Sequence, residues 1–265
     1  MSCHVTRYCR CMSKVLVTGS SDGLGLLAAQ RLLAAGHEVI LHGRNQARGE
    51  DARKAAPKAH GVVVGDLSII AETRDLADQA NRLGPYDAVI HNAGVGDFEG
   101  RVETVDGLEH IFAINVLAPY LLTALIKPPD RLVYLSSGMH YGGKPDFTDL
   151  QWTRRRWNGS QAYSDSKLFD AMLAFAVARR WPAVRSNAVD PGWVATKMGG
   201  RGAPRDFDRG SETQAWLAVS QDPAAQVTGA YFYHRKRQDA TPAANDIKIQ
   251  DRLLAVCEEL TGTTL

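Results

Sequence analysis

The sequence lacks the features that mark several classes of protein. No apolar run reaches the roughly 18–20 residues that a membrane-spanning helix requires, so no membrane span is expected. The net charge is only +2, from 31 basic and 29 acidic residues. That balance lacks the basic excess of a dedicated nucleic-acid binder, and no nucleic-acid partner is expected. The first thirteen residues also lack the hydrophobic centre of a secretory signal.

Cysteine is scarce and unevenly placed. Cys3, Cys9 and Cys11 lie in the first eleven residues, and Cys257 is the only other cysteine. A low cysteine content is typical of proteins in a reducing compartment, so we predict a cytoplasmic protein. The three early cysteines and His4 are competent metal ligands, but their spacing is not a paired C-x2-C arrangement and no second cluster completes it. No metal site is therefore expected.

Short apolar runs alternate with longer helical stretches from residue 14 onward. Strands rich in Val, Ile and Leu between helices are what a parallel sheet covered on both faces requires. The pattern predicts an α/β fold, a single-domain doubly wound parallel sheet of the Rossmann type with helices on both faces. Ligands are expected at the carboxyl ends of its strands. Residues 1–12 are predicted to be a disordered N-terminal extension, and residues 13–265 a single domain.

The individual elements follow from the same pattern. Ser68 is a plausible N-cap for one helix, and Pro119 is expected to kink another. Strands are predicted at 15–17, 37–42, 62–64, 88–90, 132–135, 184–189 and 230–233, and helices at 23–35, 68–83, 105–126 and 162–180.

A glycine-rich stretch leaves the first strand and opens the first helix. Its small residues allow a pyrophosphate to approach the backbone, and a helix N-terminus offers N–H groups and a positive dipole end. The spacing is G-x3-G-x-G, and a turn without a ligand is the alternative interpretation. The predicted cofactor-binding residues here are Gly19, Ser20, Ser21, Asp22, Gly23, Leu24 and Gly25.

The end of the second strand bears on the choice of dinucleotide. Proteins that bind NAD place an acidic residue near this point to bind the ribose hydroxyls. Here the position is Arg44, whose guanidinium can hold a 2′-phosphate, so NADP(H) is predicted in preference to NAD(H). The alternative is an exposed loop arginine.

Two further strand ends carry residues suited to the same ligand. Asp66 and Leu67 follow the third strand, where they could contact the adenine, and Asn92, Ala93 and Gly94 follow the fourth. Either group could instead be a structural turn.

The candidate chemistry lies farther along the chain. Tyr163 and Lys167 are four residues apart on a predicted helix, which places both on one face. A nearby ammonium lowers the pKa of a tyrosine and makes it an effective general acid or base. Ser136 and Ser137 end the fifth strand, where alternation lets only one hydroxyl point to the site. Asn115 lies in an apolar helix and must find polar partners.

Taken together, these motifs resemble the short-chain dehydrogenase/reductase family. The resemblance covers about residues 13–235 and rests on TGSSDGLG at 18–25, NAG at 92–94, YSDSK at 163–167 and DPGWVAT at 190–196. It implies that Ser137 polarises the substrate oxygen, that Tyr163 exchanges the proton, and that Lys167 lowers the tyrosine pKa and binds the nicotinamide ribose. It also implies that Asn115 supports a water-linked proton relay. Further implied cofactor contacts are Pro191, Gly192, Val194 and Thr196.

The sequence departs from the compact family pattern at one point. The serine would lie thirteen residues before the tyrosine, where this chain has Leu150, whereas Ser137 lies twenty-six before it. The intervening segment, about 141–160, resembles the insertion of retinol-dehydrogenase-like members. It carries Trp152, Trp157 and Arg154–Arg156, and those arginines are interpreted as a solvated face rather than an anion receptor. Residues 197–212 are predicted to be a variable substrate region.

These inferences predict an NADP(H)-dependent oxidoreductase that interconverts a carbonyl and an alcohol by hydride transfer. Its small-molecule partner is expected to be a hydrophobic ketone, aldehyde or secondary alcohol. The alternatives are a non-catalytic NADP(H)-binding sensor, an epimerase or dehydratase on the same fold, and a methyltransferase with a similar glycine loop. The helices at 105–126 and 162–180 could form the interface of a homodimer or homotetramer, or could stay covered.

Overall fold

The computed structural model of the chain describes residues 12–96, 100–200 and 202–265. Apart from Met12, the predicted N-terminal extension lies outside these residues, as do Cys3, His4, Cys9 and Cys11. No helix in the described part of the chain is long and apolar enough to cross a bilayer.

In the described residues eight strands form one sheet, and all neighbouring pairs are parallel except the last. The order across the sheet is β3-β2-β1-β4-β5-β6-β7-β8, which confirms the predicted doubly wound arrangement. The final strand was not predicted, because it is a short, exposed and strongly polar segment. The strands are β1 (Lys14–Val17), β2 (Glu38–Gly43), β3 (Gly61–Val64), β4 (Ala88–His91), β5 (Arg131–Leu135), β6 (Arg185–Asp190), β7 (Tyr231–Tyr233) and β8 (Lys236–Gln238).

Helices cover both faces of this sheet. The described helices are α1 (Gly23–Ala34), α2 (Gln46–Ala55), α3 (Ile70–Leu83), α4 (His110–Phe112), α5 (Ala118–Leu125), α6 (Gly159–Arg180), α7 (Phe207–Val219), α8 (Pro242–Asn245) and α9 (Ile247–Thr261).

Two hydrophobic clusters hold the layers together. Side chains alternate along each strand, so that Leu16 of β1 belongs to the cluster that includes α3, α5, α6 and α9, whereas Val15 and Val17 belong to the cluster that includes α1, α2 and α7. The strand order reverses between β1 and β4, which opens a crevice at the carboxyl ends of these strands. The glycine-rich stretch, Asn92 and the residues after β5 and β6 all lie at this edge.

The helix predicted over 105–126 is wrong at its start and in its geometry. Gly107 has a φ of +74°, which interrupts a right-handed helix, and the chain becomes helical only at His110. The Glu109 carboxylate caps that start by accepting from the N–H groups of Ile111 and Phe112, at 2.8 Å each.

The predicted kink at Pro119 is instead a wider turn just before the proline. Residues Ala113–Leu117 form a π-helical turn, in which the N–H of Ala118 donates to the carbonyl of Ala113. Proline has no N–H for the carbonyl four residues earlier, and its ring clashes with that carbonyl, here Asn115. The wider turn relieves both problems and contains a predicted site residue.

The prediction that Ser68 caps α3 is also wrong. The helix begins one residue later, after Ile69, and the Ser68 N–H donates to the Asp66 carboxylate at 2.9 Å. The first helical N–H, that of Ile70, donates to the carboxylate of Asp106 at 2.8 Å. A side chain distant in sequence therefore satisfies this helix start, which local pattern could not reveal.

Candidate active site

The glycine-rich stretch packs directly against the loop after β4. Gly19 has a φ of +63°, and a Cβ there would lie 2.8 Å from the Cα of Ala93. The Asn92 amide donates to the carbonyl of Thr18 at 2.8 Å, and the Thr18 hydroxyl accepts from the N–H groups of Asn92 and Ala93. The two loops thus form one rigid unit in which only glycine fits at position 19.

The first turn of α1, next to these two loops, has no side-chain cap on its N–H groups. Asp22, the N-cap residue, makes no side-chain hydrogen bond to the helix N–H groups. A Cβ on Gly23 would lie 3.8 Å from the Thr196 side chain, so the loop after β6 lies beside the same turn. An uncapped helix start beside a crevice without bulky side chains fits a dinucleotide pyrophosphate.

Cationic side chains gather where β2 ends. Arg44 is exposed directly after the strand. Arg48, on the first turn of α2, donates to the Ser21 hydroxyl at 2.9 Å and pairs with Asp22 at 2.6 Å, and Lys197 pairs with the same carboxylate at 2.7 Å. Burial raises the pKa of Asp22, but Lys197 and Arg48 outweigh that effect and hold the pKa below its ordinary value.

Sequence reasoning missed Arg48 and Lys197. The spacing of Arg48 from Arg44 offered a signal, because a helix that begins immediately after β2 turns its first residues toward the crevice. Lys197 offered none, since its role depends on how the loop after β6 folds back over α1.

Asp66 and Leu67, the predicted adenine contacts, directly follow β3. The Leu67 side chain is buried and packs in the cluster under α3 and α5. Asp66 remains half-buried at the end of β3, with its N–H donating to Glu72 at 2.7 Å.

Asn115 is fully buried, and its amide joins two parts of the site. The oxygen accepts from the Val95 N–H at 2.8 Å, and the nitrogen donates to the Val95 carbonyl and the Ser166 hydroxyl at 3.0 Å each. A Cβ on Gly94 would lie 3.4 Å from the Asn115 oxygen and 3.5 Å from the Lys167 nitrogen. Asn115 therefore ties the loop after β4 to α6, beside the tip of the lysine.

The two serines at the end of β5 have different environments. Ser136 is buried, and its hydroxyl donates to the Lys167 carbonyl at 2.7 Å. Ser137 is half-buried and caps a short 3₁₀ turn over Gly138–Gly142 by accepting from the Met139 N–H at 3.2 Å. Ser136 thus anchors α6 to the sheet, which leaves Ser137 as the hydroxyl at the crevice edge.

Tyr163 and Lys167 face each other on α6, with the lysine nitrogen 5.5 Å from the centre of the tyrosine ring. Lys167 is buried, and its ammonium donates to the Leu135 carbonyl at 2.9 Å and to the Asp170 carboxylate at 2.8 Å. Burial lowers the pKa of Lys167, but Asp170 and Tyr163 outweigh burial and hold the pKa above its ordinary value.

Sequence reasoning also missed Asp170. It lies one helical turn after Lys167, on the side of α6 that packs on the sheet. A charged residue in an otherwise apolar stretch, LFDAMLAFAV, was the available signal, because a buried carboxylate needs a cationic partner.

The loop after β6 carries the remaining predicted contacts. Gly192 has a φ of +80°, and its N–H donates to the Asp190 carboxylate at 2.8 Å. Val194 is buried, whereas Pro191 and Thr196 are half-buried at the crevice. Trp193 is 65% exposed, and Met198 is 44% exposed.

The insertion is a folded segment that Arg155 attaches to α6. The guanidinium carbon lies 3.6 Å from the centre of the Trp152 ring, and the side chain pairs with Asp146, Asp149 and Asp165 at 3.7–3.8 Å. Asp165 lies two residues after Tyr163 on α6. The interpretation of Arg154–Arg156 as a solvated face is therefore wrong for Arg155, which is partly buried and fixes the insertion to α6.

Comparisons with known proteins identify the family. The family model described as short chain dehydrogenase matches residues 13–205. The chain is 43% identical to an uncharacterized oxidoreductase of Emericella nidulans, over 95% of this chain and 98% of that protein. It is 32% identical to retinol dehydrogenase 13 of Homo sapiens, over 94% of this chain and 84% of that protein. A solved structure from Mycobacterium paratuberculosis gives a TM-score of 0.81 at 30% identity, covering 95% of this chain and 94% of that one.

A doubly wound sheet with a glycine-rich turn and a Tyr–Lys pair at its carboxyl edge defines an oxidoreductase of the nicotinamide-dependent class. The chain belongs to the short-chain dehydrogenase/reductase family, in its retinol-dehydrogenase-like subgroup, whose members act on CH–OH and C=O groups.

Proposed function

We propose that this protein is an NADP(H)-dependent oxidoreductase that interconverts a hydrophobic ketone or aldehyde and the corresponding alcohol. The observation that carries the proposal is the Tyr163–Lys167 pair, because it places a buried ammonium 5.5 Å from the centre of a phenol ring whose hydroxyl can exchange a proton. The glycine-rich turn supports it, since Asp22 leaves the first turn of α1 without a side-chain cap, so its N–H groups can bind a pyrophosphate.

In this mechanism the bound nicotinamide supplies or accepts the hydride. Tyr163 exchanges a proton with the substrate oxygen, which the Ser137 hydroxyl orients. Lys167 holds its positive charge beside the phenol and has one N–H left beyond its bonds to Leu135 and Asp170, which serves the cofactor ribose. Asn115 holds the loop after β4 against α6, which keeps the position of Tyr163 fixed relative to the cofactor.

The preference for NADP(H) rests on the charges at the end of β2. Two guanidinium groups, those of Arg44 and Arg48, lie at the end of β2 and in the first turn of α2, and either can pair with a 2′-phosphate. Two carboxylates lie nearby, but Asp22 already pairs with Arg48 and Lys197, and Asp51 pairs with Arg48, so both repel a phosphate less than isolated carboxylates would.

The hydrophobic substrate class rests on exposed apolar side chains near the proposed chemistry. Met139 and Tyr141 follow Ser137, Trp193 and Met198 follow β6, and all four are at least 40% exposed. Large apolar groups left in water beside a crevice favour an apolar ligand.

Catalysis is tested by replacing Tyr163 with phenylalanine. We expect kcat to fall by about 10²–10⁴-fold, because general acid–base transfer is lost. The dissociation constant for NADPH, followed by nicotinamide fluorescence, should stay within about threefold. A variant with near-normal kcat would refute the proposed role of Tyr163. Tight NADPH binding without turnover of any carbonyl compound by the unsubstituted protein would favour the sensor.

The coenzyme preference is tested by comparing NADPH and NADH binding before and after Arg44→Asp. We expect the unsubstituted protein to bind NADPH at least tenfold more tightly, about 1.4 kcal/mol, and the variant to prefer NADH. Arg53→Asp, the same charge change at an exposed position on α2, is the matched control and should keep the preference. Unchanged selectivity in the Arg44 variant would remove that residue from its role.

A further inference from the structure

His42 is a buried histidine on β2 that the proposed mechanism does not use. Its Nδ1 accepts a hydrogen bond from the Gly19 N–H at 2.8 Å, and its Nε2 lies 2.9 Å from the Gly65 carbonyl oxygen. Its backbone is bonded to the same loop: the His42 N–H donates to the Ser20 hydroxyl at 2.8 Å, and the Ser20 N–H donates to the His42 carbonyl at 3.1 Å. One residue thus contacts the glycine-rich turn three times.

These partners allow only one form of the imidazole. The Gly19 N–H can only donate, so Nδ1 must carry a lone pair, and the Gly65 carbonyl can only accept, so Nε2 must carry the hydrogen. The neutral Nε2–H tautomer satisfies both partners, whereas an imidazolium would place an N–H against the Gly19 N–H. Burial lowers the pKa of His42, which favours the neutral form.

The ring also joins two parts of the proposed dinucleotide site. Gly19 and Ser20 begin the turn expected to hold the pyrophosphate, and Gly65 immediately precedes Asp66, at the expected adenine end. Because His42 engages the N–H groups of Gly19 and Ser20, these two are turned toward the sheet. The N–H groups that remain for a phosphate are then those between Ser21 and the first intrahelical bond of α1, which the Leu26 N–H makes to the Asp22 carbonyl.

We propose that His42 is a positioning residue for the dinucleotide: its neutral imidazole fixes the glycine-rich turn relative to the loop after β3 in the arrangement that accepts the cofactor. This inference rests on the proposed function, because it requires that the crevice bind a dinucleotide. The Gly19 contact is the decisive one, since it sets the direction from which the chain enters the first turn of α1.

Two substitutions separate the contacts of the ring. In His42→Asn the amide oxygen can occupy the place of Nδ1 and keep the acceptor for Gly19. In His42→Gln the amide nitrogen can occupy the place of Nε2 and keep the donor for Gly65, while the acceptor for Gly19 is lost. His60→Gln, at an exposed position just before β3, is the matched control.

The experiment titrates each purified full-length variant with NADPH and follows nicotinamide fluorescence, with thermal unfolding measured in parallel. We expect the Gln variant to bind at least tenfold more weakly than the unsubstituted protein, and the Asn and His60 variants to stay within about threefold. A purely structural role would instead lower the melting temperature of both His42 variants and leave the NADPH dissociation constants equal. Equal binding by the Asn and Gln variants overturns the inference.

The results that would overturn the proposed function differ from those that would overturn only the role of His42. If the unsubstituted protein binds neither NADPH nor NADH, the proposed function and the role of His42 are both overturned. If it binds NADPH and the Gln variant binds as tightly, only the role of His42 is overturned. Should the Gln variant not fold, ¹⁵N NMR of the histidines in the unsubstituted protein decides: an unprotonated Nδ1 at His42 is expected, and a protonated one refutes the inference.

Discussion

Replacing Asp170 with leucine should destabilise the protein strongly, because Lys167 would lose its counter-ion inside the fold. Both side chains are at most 5% exposed, and their charged atoms lie 2.8 Å apart. The leucine variant leaves the ammonium with the Leu135 carbonyl as its remaining described acceptor. Breaking a buried ion pair by removing one partner typically costs about 3–5 kcal/mol, and we expect a loss of that size in the free energy of unfolding.

Urea denaturation followed by circular dichroism measures this loss, and a double-mutant cycle assigns it to the pair. Lys167→Met alone should cost less, because burial raises the pKa of Asp170 to about 7 and lets the carboxyl become neutral without its partner. The double variant Asp170→Leu/Lys167→Met should recover at least about 2 kcal/mol relative to the sum of the single losses. Asp170→Asn, which keeps an oxygen acceptor, is the conservative control.

Two results would refute this reasoning. A loss below about 1 kcal/mol in Asp170→Leu would mean that the ammonium is not desolvated in the native state. Strictly additive losses in the double variant would mean that the two groups do not stabilise each other.

Two further predictions concern the insertion and the helix faces. Arg155→Met should lower the free energy of unfolding by about 1–3 kcal/mol, because the Trp152 contact and the pairing with Asp165 are lost. It should also speed hydrogen exchange in residues 141–160. An equal effect from Arg156→Met, the exposed control, would contradict this prediction. Light scattering after size exclusion should give the mass of one chain, 28.9 kDa, because α5 and α6 are buried within the chain and α9 packs on α6. A dimer mass would contradict this prediction.

The covered state of α5 and α6 was one of two possibilities that the sequence left open. An apolar helix has the same sequence pattern whether its own chain or a second copy buries it. Within the single chain, the C-terminal segment contacts this layer: the Tyr120 hydroxyl on α5 donates to the Thr263 carbonyl at 2.6 Å, and Arg74 on α3 donates to Thr261 and Thr263. These residues are more than a hundred positions apart, so no local pattern connects them.

The sequence by itself determined the layers of the fold and the edge at which the site lies. Strands such as Val15–Val17 and Ala88–Ile90 were predictable because side-chain alternation and short apolar runs are local properties, and parallel strands must place their carboxyl ends together. The i,i+4 relation of Tyr163 and Lys167 follows from helix geometry alone.

Tertiary structure decided which polar groups meet. Asp106 satisfies the start of α3, Arg155 joins the insertion to α6, and Lys197 reaches Asp22 across 175 positions of sequence. Each contact depends on where a loop returns to the sheet, and hydrogen bonds and ion pairs act only over a few ångströms. A one-dimensional pattern therefore identifies the residues capable of chemistry, whereas packing determines the partners that set their charge and orientation.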